Sequence, residues 1–233
     1  VEQPGFLDEK VFHFQPQQQP LREGFTHGAA PRASSSCQRF QKRRSCSSSS
    51  ASGMITDGTV AGTQLVPVPR YGIVDSVHQA IWSASYSDPY GIELAITRLA
   101  GGAATTTMVK DIWPGSPSGI ASYASMVLLD SGKLLFSGND GSSGSEPWIS
   151  DGTEAGTVRL ADLSVQAGGS GPDAFTAFGH LAAFAAALSP SVDSYLGREL
   201  VVTDGTAAGT KTFDINPGSS SSYPQMLGHI GDT

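Results

Sequence analysis

From residue 53 onward, apolar positions gather in short runs separated by Gly, Ser, Pro, Asn or Asp. In one stretch the runs are ELAIT (93–97), TTMVKDI (106–112), ASMVLLD (124–130) and KLLFSG (133–138). Their length and flanking breakers predict four consecutive β-strands. Asp130–Ser131–Gly132 predicts a tight hairpin between the last two. LAAFAAAL (181–188) is the longest apolar run. It falls short of the roughly 18 residues a membrane span needs and predicts a buried strand. Residues 1–52 lack any such pattern. Their runs QPQQQP (15–20), SSSC (34–37) and QKRRSCSSSSAS (41–52) are polar and of low complexity. Such a segment cannot bury enough apolar surface to offset its ordering entropy, so disorder is expected, with room for a short ordered patch near Phe12 and Phe14.

The strand pattern repeats. ITDGTVAGT (55–63), ISDGTEAGT (149–157) and VTDGTAAGT (202–210) are three copies of one nine-residue turn. Upstream of it, GIELAIT (91–97), GSEPWIS (144–150) and GRELVVT (197–203) align, which places Glu93, Glu146 and Glu199 at intervals of 53 residues. Downstream, MVKDIWPGSPS (108–118) matches TFDINPGSSS (212–221), with RLADL (159–163) as a shorter version. Four antiparallel strands in a period near 50 residues predict an all-β, β-propeller-like array of four-stranded blades. The units lie near 53–90, 91–143, 144–196 and 197–233. The first enters at its Asp-Gly-Thr turn and the last stops where its fourth strand should begin. The expectation is three to four blades in residues 53–233, forming either four imperfect blades in a closed ring or an open arc of a larger one; the arc is preferred.

Each repeated turn has a physical reading. Gly58, Gly152 and Gly205 can take positive φ without a steric penalty. Asp57, Asp151 and Asp204 can accept a backbone N–H two residues on. Thr59, Thr153 and Thr206 suit the re-entry to a strand, and the second glycine of each copy fits a bulge or second turn. A fourth copy, TRLAGGAAT (97–105), is eroded: it is two residues longer, with Arg98 or Ala100 where the others have Asp. A catalytic or obligatory metal site in every unit would not survive that change.

The stretches GSEPWISDGTEAGT (144–157) and GRELVVTDGTAAGT (197–210), each with its downstream segment, resemble the ELWxxDGT-repeat family, as does D-I-x-P-G at 111–115 and 214–218. The resemblance covers about residues 53–233 and departs from the pattern where Pro147 replaces Leu and where Ala95 and Val201 replace Trp. It implies a repetitive, secreted or cell-surface, propeller-type protein without assigned catalysis.

Composition narrows the partners. Charged residues are 15 % of the chain, the net charge is −7, and the only basic cluster, Arg39–Arg44, lies in the low-complexity segment, which argues against nucleic acid. Cys37 and Cys46 either close a small loop or stay as free thiols in a disordered tail; the second reading is preferred, and the repeats have no cysteine. The chain begins at Val1 without a basic and then apolar leader, and it reads as a fragment.

Candidate chemistry is sparse. SGNDGSSGSE (137–146) offers Asn139, Asp140, Ser142 and Glu146 as oxygen ligands for calcium, and also resembles the Asp-box turn of some propellers. A solvated turn explains it better. Paired carboxylates could serve a glycosidase, but these acids recur at repeat-equivalent positions. His78, His180 and His229 stand alone near strand ends, and no G-x-S-x-G elbow is present. Trp82, Trp113 and Trp148 could stack on sugars, though packing is the commoner use. No catalytic residue or cofactor is assigned. The sequence supports a non-catalytic extracellular module for a protein or glycan partner, with a fragment of a carbohydrate-active propeller enzyme as the alternative.

Overall fold

The computed structural model describes residues 52–55, 64–67, 72–75, 78, 80–100, 103–121 and 125–225. The low-complexity segment with Cys37 and Cys46, the first Asp-Gly-Thr turn (Asp57, Gly58, Thr59) and His229 lie outside these residues. Among the described residues every element is a strand, as the short apolar runs predict. β1 (Ser52–Ile55) and β2 (Gln64–Pro67) form a two-stranded antiparallel pair. Three four-stranded sheets follow. The first holds β3 (Gly72–Asp75), β4 (Ala80–Ser87), β5 (Gly91–Ala100) and β6 (Ala103–Lys110). The second holds β7 (Met126–Leu128), β8 (Leu134–Asn139), β9 (Ser145–Ser150) and β10 (Val158–Arg159). The third holds β11 (Asp173–Phe178), β12 (Leu181–Ala187), β13 (Arg198–Thr203) and β14 (Lys211–Phe213). In each, strands pair with their sequence neighbours and all pairs are antiparallel.

The sheets run half a unit out of step with the sequence repeat. The runs at 124–130 and 133–138 do not join the strands that precede them. They open the second sheet as β7 and β8, and β9 and β10 complete it from the next copy. Sequence similarity marks the period, and the long connections after β6 and β10 mark where one sheet ends.

Side-chain alternation makes the sheets stack. On β8, Leu134 and Phe136 turn toward the first sheet and pack with Trp82, Leu94, Ile96 and Trp148. Leu135, between them, turns the other way and packs with Ile149, Phe184 and Val201. The second sheet is therefore buried on both faces, and each core lies between consecutive sheets. LAAFAAAL becomes β12, whose small residues leave room for Phe184 to stack against Phe175 at 5.0 Å between ring centres. The stack of three sheets does not close on itself.

Candidate functional site

Two constructions recur along the stack, and the predicted turn residues of the second and third sheets and Glu146 belong to them, while Asn139 and Asp140 do not. The first is the Asp-Gly-Thr turn. Asp151 Oδ1 accepts the Thr153 N–H (2.9 Å) and hydroxyl (2.7 Å), and Thr153 Oγ1 accepts the Gly156 N–H (2.9 Å). Thr157 donates to the Thr153 carbonyl (2.6 Å), and Ser150 Oγ, 2.7 Å from Thr157 Oγ1, takes the Gly152 N–H. The third sheet repeats the network with Asp204, Thr206, Gly209, Thr210, Thr203 and Gly205, every bond within 0.1 Å of its counterpart. These Thr hydrogen bonds hold the Asp151 and Asp204 carboxyls below the ordinary carboxylate range.

The two glycines of the turn differ in purpose. Gly152 and Gly205 have φ of 86° and 83°, as the turn requires. They also seat the turn on the preceding sheet: Gly152 against Trp82 and Ile96, Gly205 against Leu129 and Ile149. Gly156 and Gly209 are not in the left-handed region. A Cβ there would overlap the Asp151 or Asp204 carboxylate, so the second glycine lets the acid pack closely; of the bulge or second turn expected from sequence, it is the second turn that forms, with Thr157 N–H bonded to the Glu154 carbonyl and Thr210 N–H to the Ala207 carbonyl, both at 3.3 Å.

The second construction was not legible in the sequence beyond its spacing. Glu93, Glu146 and Glu199 are solvent-inaccessible. Each brackets the connection that leaves its own sheet. Glu93 accepts the N–H groups of Ile112 (2.9 Å) and Gly119 (2.7 Å). Glu146 accepts those of Leu163 (3.0 Å) and Ser170 (2.9 Å), plus the Ser170 hydroxyl (2.7 Å). Glu199 accepts those of Ile215 (2.9 Å) and Ser222 (2.7 Å). The bracketed residues then reach the next sheet: the Gly119 carbonyl takes the Asn139 N–H and the Ser170 carbonyl takes the Ala187 N–H, both at 2.8 Å.

Burial pushes the Glu93 and Glu146 carboxyls above their ordinary range, against the pull of these hydrogen bonds. Burial acts the same way on Glu199, but there the bonds from Ser222 and Ile215 outweigh it and the carboxyl sits low. The difference has a structural cause: no described sheet stacks beyond the third, so less protein surrounds Glu199.

The calcium candidates separate. Asn139 Oδ1 accepts the Gly141 N–H at 2.8 Å. Asp140 Oδ1 accepts from Ser142 N, Ser142 Oγ and Ser143 N, while Arg159 lies 3.7 Å from its other oxygen. Burial raises the Asp140 carboxyl, yet these partners hold it below the usual range. Glu146 points inward to its bracket. Among the described residues no three His, Cys, Asp or Glu side chains group as metal ligands.

Among the described residues one buried acid breaks the repeat. Asp75, fully buried, stands where register places Leu129 and Phe178 in the other sheets. It accepts the His78 N–H (3.0 Å), lies 2.8 Å from His78 Nδ1, and takes the Trp82 indole N–H at 3.4 Å. Burial opposes its ionisation, but these bonds win and depress the carboxyl. His78, solitary in sequence, is thus a partner of Asp75. Register places Trp82 where Leu135 stands in the next sheet, and each packs into the core that follows its own sheet. Trp82 and Trp148 are buried, while Trp113 lies half-buried over Gly141.

No family model matches the chain, and no curated protein or solved structure gives a significant match. Among the described residues no helix is long and apolar enough to cross a membrane.

Proposed function

We propose that the chain is a non-catalytic repeat module of the cell surface or extracellular space, an open arc of propeller-like blades that presents loops to a protein or glycan. One observation carries this reading: the positions that repeat are spent on structure, and the positions that vary sit together at one edge. The hairpins joining the second and third strands of each sheet are SYSDPYG (85–91), NDGSSG (139–144) and LSPSVDSYLG (188–197). They share an edge because each lies beside the bracketed connection of its own sheet, as in Ile92 N–H to Ser118 Oγ and Ser145 N–H to the Gly168 carbonyl. Tyr86 and Tyr90 on the first and Val192 and Tyr195 on the third are exposed, which suits recognition by aromatic contact.

A glycan array and a calcium titration on the chain test the reading. Binding that is lost in Tyr86→Ala and Tyr195→Ala supports a glycan partner at this edge. Silence on the array, with no stabilisation by calcium, leaves a protein partner. The alternative, a piece of a carbohydrate-active enzyme, rests on Asp75, among the described residues the one buried acid outside the repeat; glycoside hydrolysis that disappears in Asp75→Asn would establish it and overturn the binding module.

A further inference from the structure

The last strands of the three sheets differ in length. β10 closes the second sheet with two residues and β14 closes the third with three, whereas β6 closes the first with eight. The eroded turn is the cause. Without its Asp-Gly-Thr, the ladder between β5 and β6 runs on through six unbroken pairs, from Ala95–Met108 to Ala100–Ala103. A strand at the edge of a sheet offers a row of unpaired N–H and C=O groups, and proteins blunt it by shortness, charge, Pro or a bulge. Shortness blunts β10 and β14. Over 103–108, β6 has none of these devices: it carries neither charge nor Pro, and its one register shift lies beyond Met108. Thr105, Thr106, Thr107 and Met108 are exposed. Lys110, the only charge on the strand, is drawn off to the carbonyls of Glu154 and Thr157 in the second sheet.

We infer that β6 is a self-association edge, pairing antiparallel with β6 of a second copy of this chain about a twofold axis at Thr106. The two first sheets then become one sheet of eight strands. The residues of the strand favour its own copy over a foreign one. About that axis Thr105 stands opposite Thr107, Ala104 opposite Met108 and Thr106 opposite itself, so no charge opposes a charge. Threonines paired across strands can hydrogen-bond. Thr106 Oγ1 already meets Thr97 Oγ1 at 2.7 Å, and the row of hydroxyls continues through the axis. A twofold contact uses one edge from each copy. The last strands left over are those of two and three residues, so association ends at the dimer. The axis lies level with Thr97, about 20 Å along β5 from the hairpin at 85–91. The variable hairpins therefore stay free, the inference goes beyond the binding reading, and its failure would leave that reading intact.

Sedimentation velocity of the full chain over a dilution series tests it. The expected result is a dimer that dissociates on dilution. Thr105→Lys combined with Thr107→Lys sets like charges opposite each other on both sides of the axis and should weaken the dimer by about tenfold or more. Thr105→Lys combined with Thr107→Glu sets unlike charges there and should restore it. Replacing residues 98–105 by the DGTEAG of 151–156 removes half of the edge and should leave a monomer. Far-ultraviolet circular dichroism should show all three variants folded; the paired substitutions alter only exposed side chains. Tyr86→Glu should leave the dimer unchanged. A chain that stays monomeric at every concentration overturns the inference, as does an assembly larger than a dimer. So does a dimer indifferent to the paired lysines or to the folded turn exchange, or one that the Lys and Glu pair does not restore.

Discussion

The turn at 150–157 and the turn at 97–106 join equivalent strands by different means. In the second sheet, the six residues 151–156 close through the Asp151–Thr153–Gly156 network, and the following strand β10 is only two residues long. In the first sheet, the two extra residues enter the ladder. Arg98 pairs with Thr105, Leu99 with Ala104 and Ala100 with Ala103, so β5 reaches ten residues and β6 eight. One feature survives the exchange. Thr97 Oγ1 and Thr106 Oγ1 lie 2.7 Å apart, as Ser150 and Thr157 do. The hydroxyl pair marks the base of both turns, and the Asp-Gly-Thr above it is one of two ways to finish the chain reversal. Backbone pairs in the extended hairpin replace side-chain bonds in the compact one.

The largest expected effect tests what the two sheets share. Glu146→Ala strands the Leu163 and Ser170 N–H groups and the Ser170 hydroxyl, and should cost about 3–5 kcal/mol. Glu93→Ala should fall in the same range although its turn differs, as denaturant midpoints would show. A cost confined to Glu146 would mean that the bracket depends on the compact turn.

Next comes Gly156→Ala, whose Cβ overlaps the Asp151 carboxylate; a loss of about 2 kcal/mol is expected. Combining it with Asp151→Ala should remove the clash, making the double variant more stable than the sum of the two. Simple additivity would show that the glycine serves something other than the acid.

Asp151→Ala alone should cost about 1 kcal/mol. The pH dependence of the two acid types should run in opposite directions. Asp151 has a depressed carboxyl, so its contribution is present at neutral pH and is lost as pH falls through the folded value. Glu146 has a raised one, so its ionisation opposes folding, and stability declines as pH rises from the ordinary carboxylate range through the folded value. Denaturation across pH in Asp151→Ala and Glu146→Gln should flatten the acidic limb and the rising-pH limb respectively.

The smallest effect is expected from exchanging the turns. Replacing residues 98–105 by the DGTEAG of 151–156 keeps Thr97 and Thr106 and should change stability by no more than about 1 kcal/mol. Loss of cooperative unfolding in this variant would mean that the longer ladder is required by the first sheet.

What the sequence disclosed follows the range of each interaction. The Asp-Gly-Thr network spans eight residues and uses side chains that name their roles, so its turn was readable. The Glu brackets join a carboxylate to backbone N–H groups 16 to 26 residues on. Backbone donors leave no signature in residue type, and only the 53-residue spacing pointed to them. The Asp75–His78–Trp82 cluster was hidden for a different reason: an acid in a core position looks like a surface acid until strand register shows what it replaces.

The brackets also determine how the stack would carry load. Glu93 and Glu146 each clamp a connection whose carbonyl is bonded to the following sheet, so tension applied to the chain ends passes through them in series. Under extension the sheets should detach in succession, each step releasing one 53-residue period, about 180 Å of contour. The repeat that spaces the glutamates in sequence would then set the length of each yielding step.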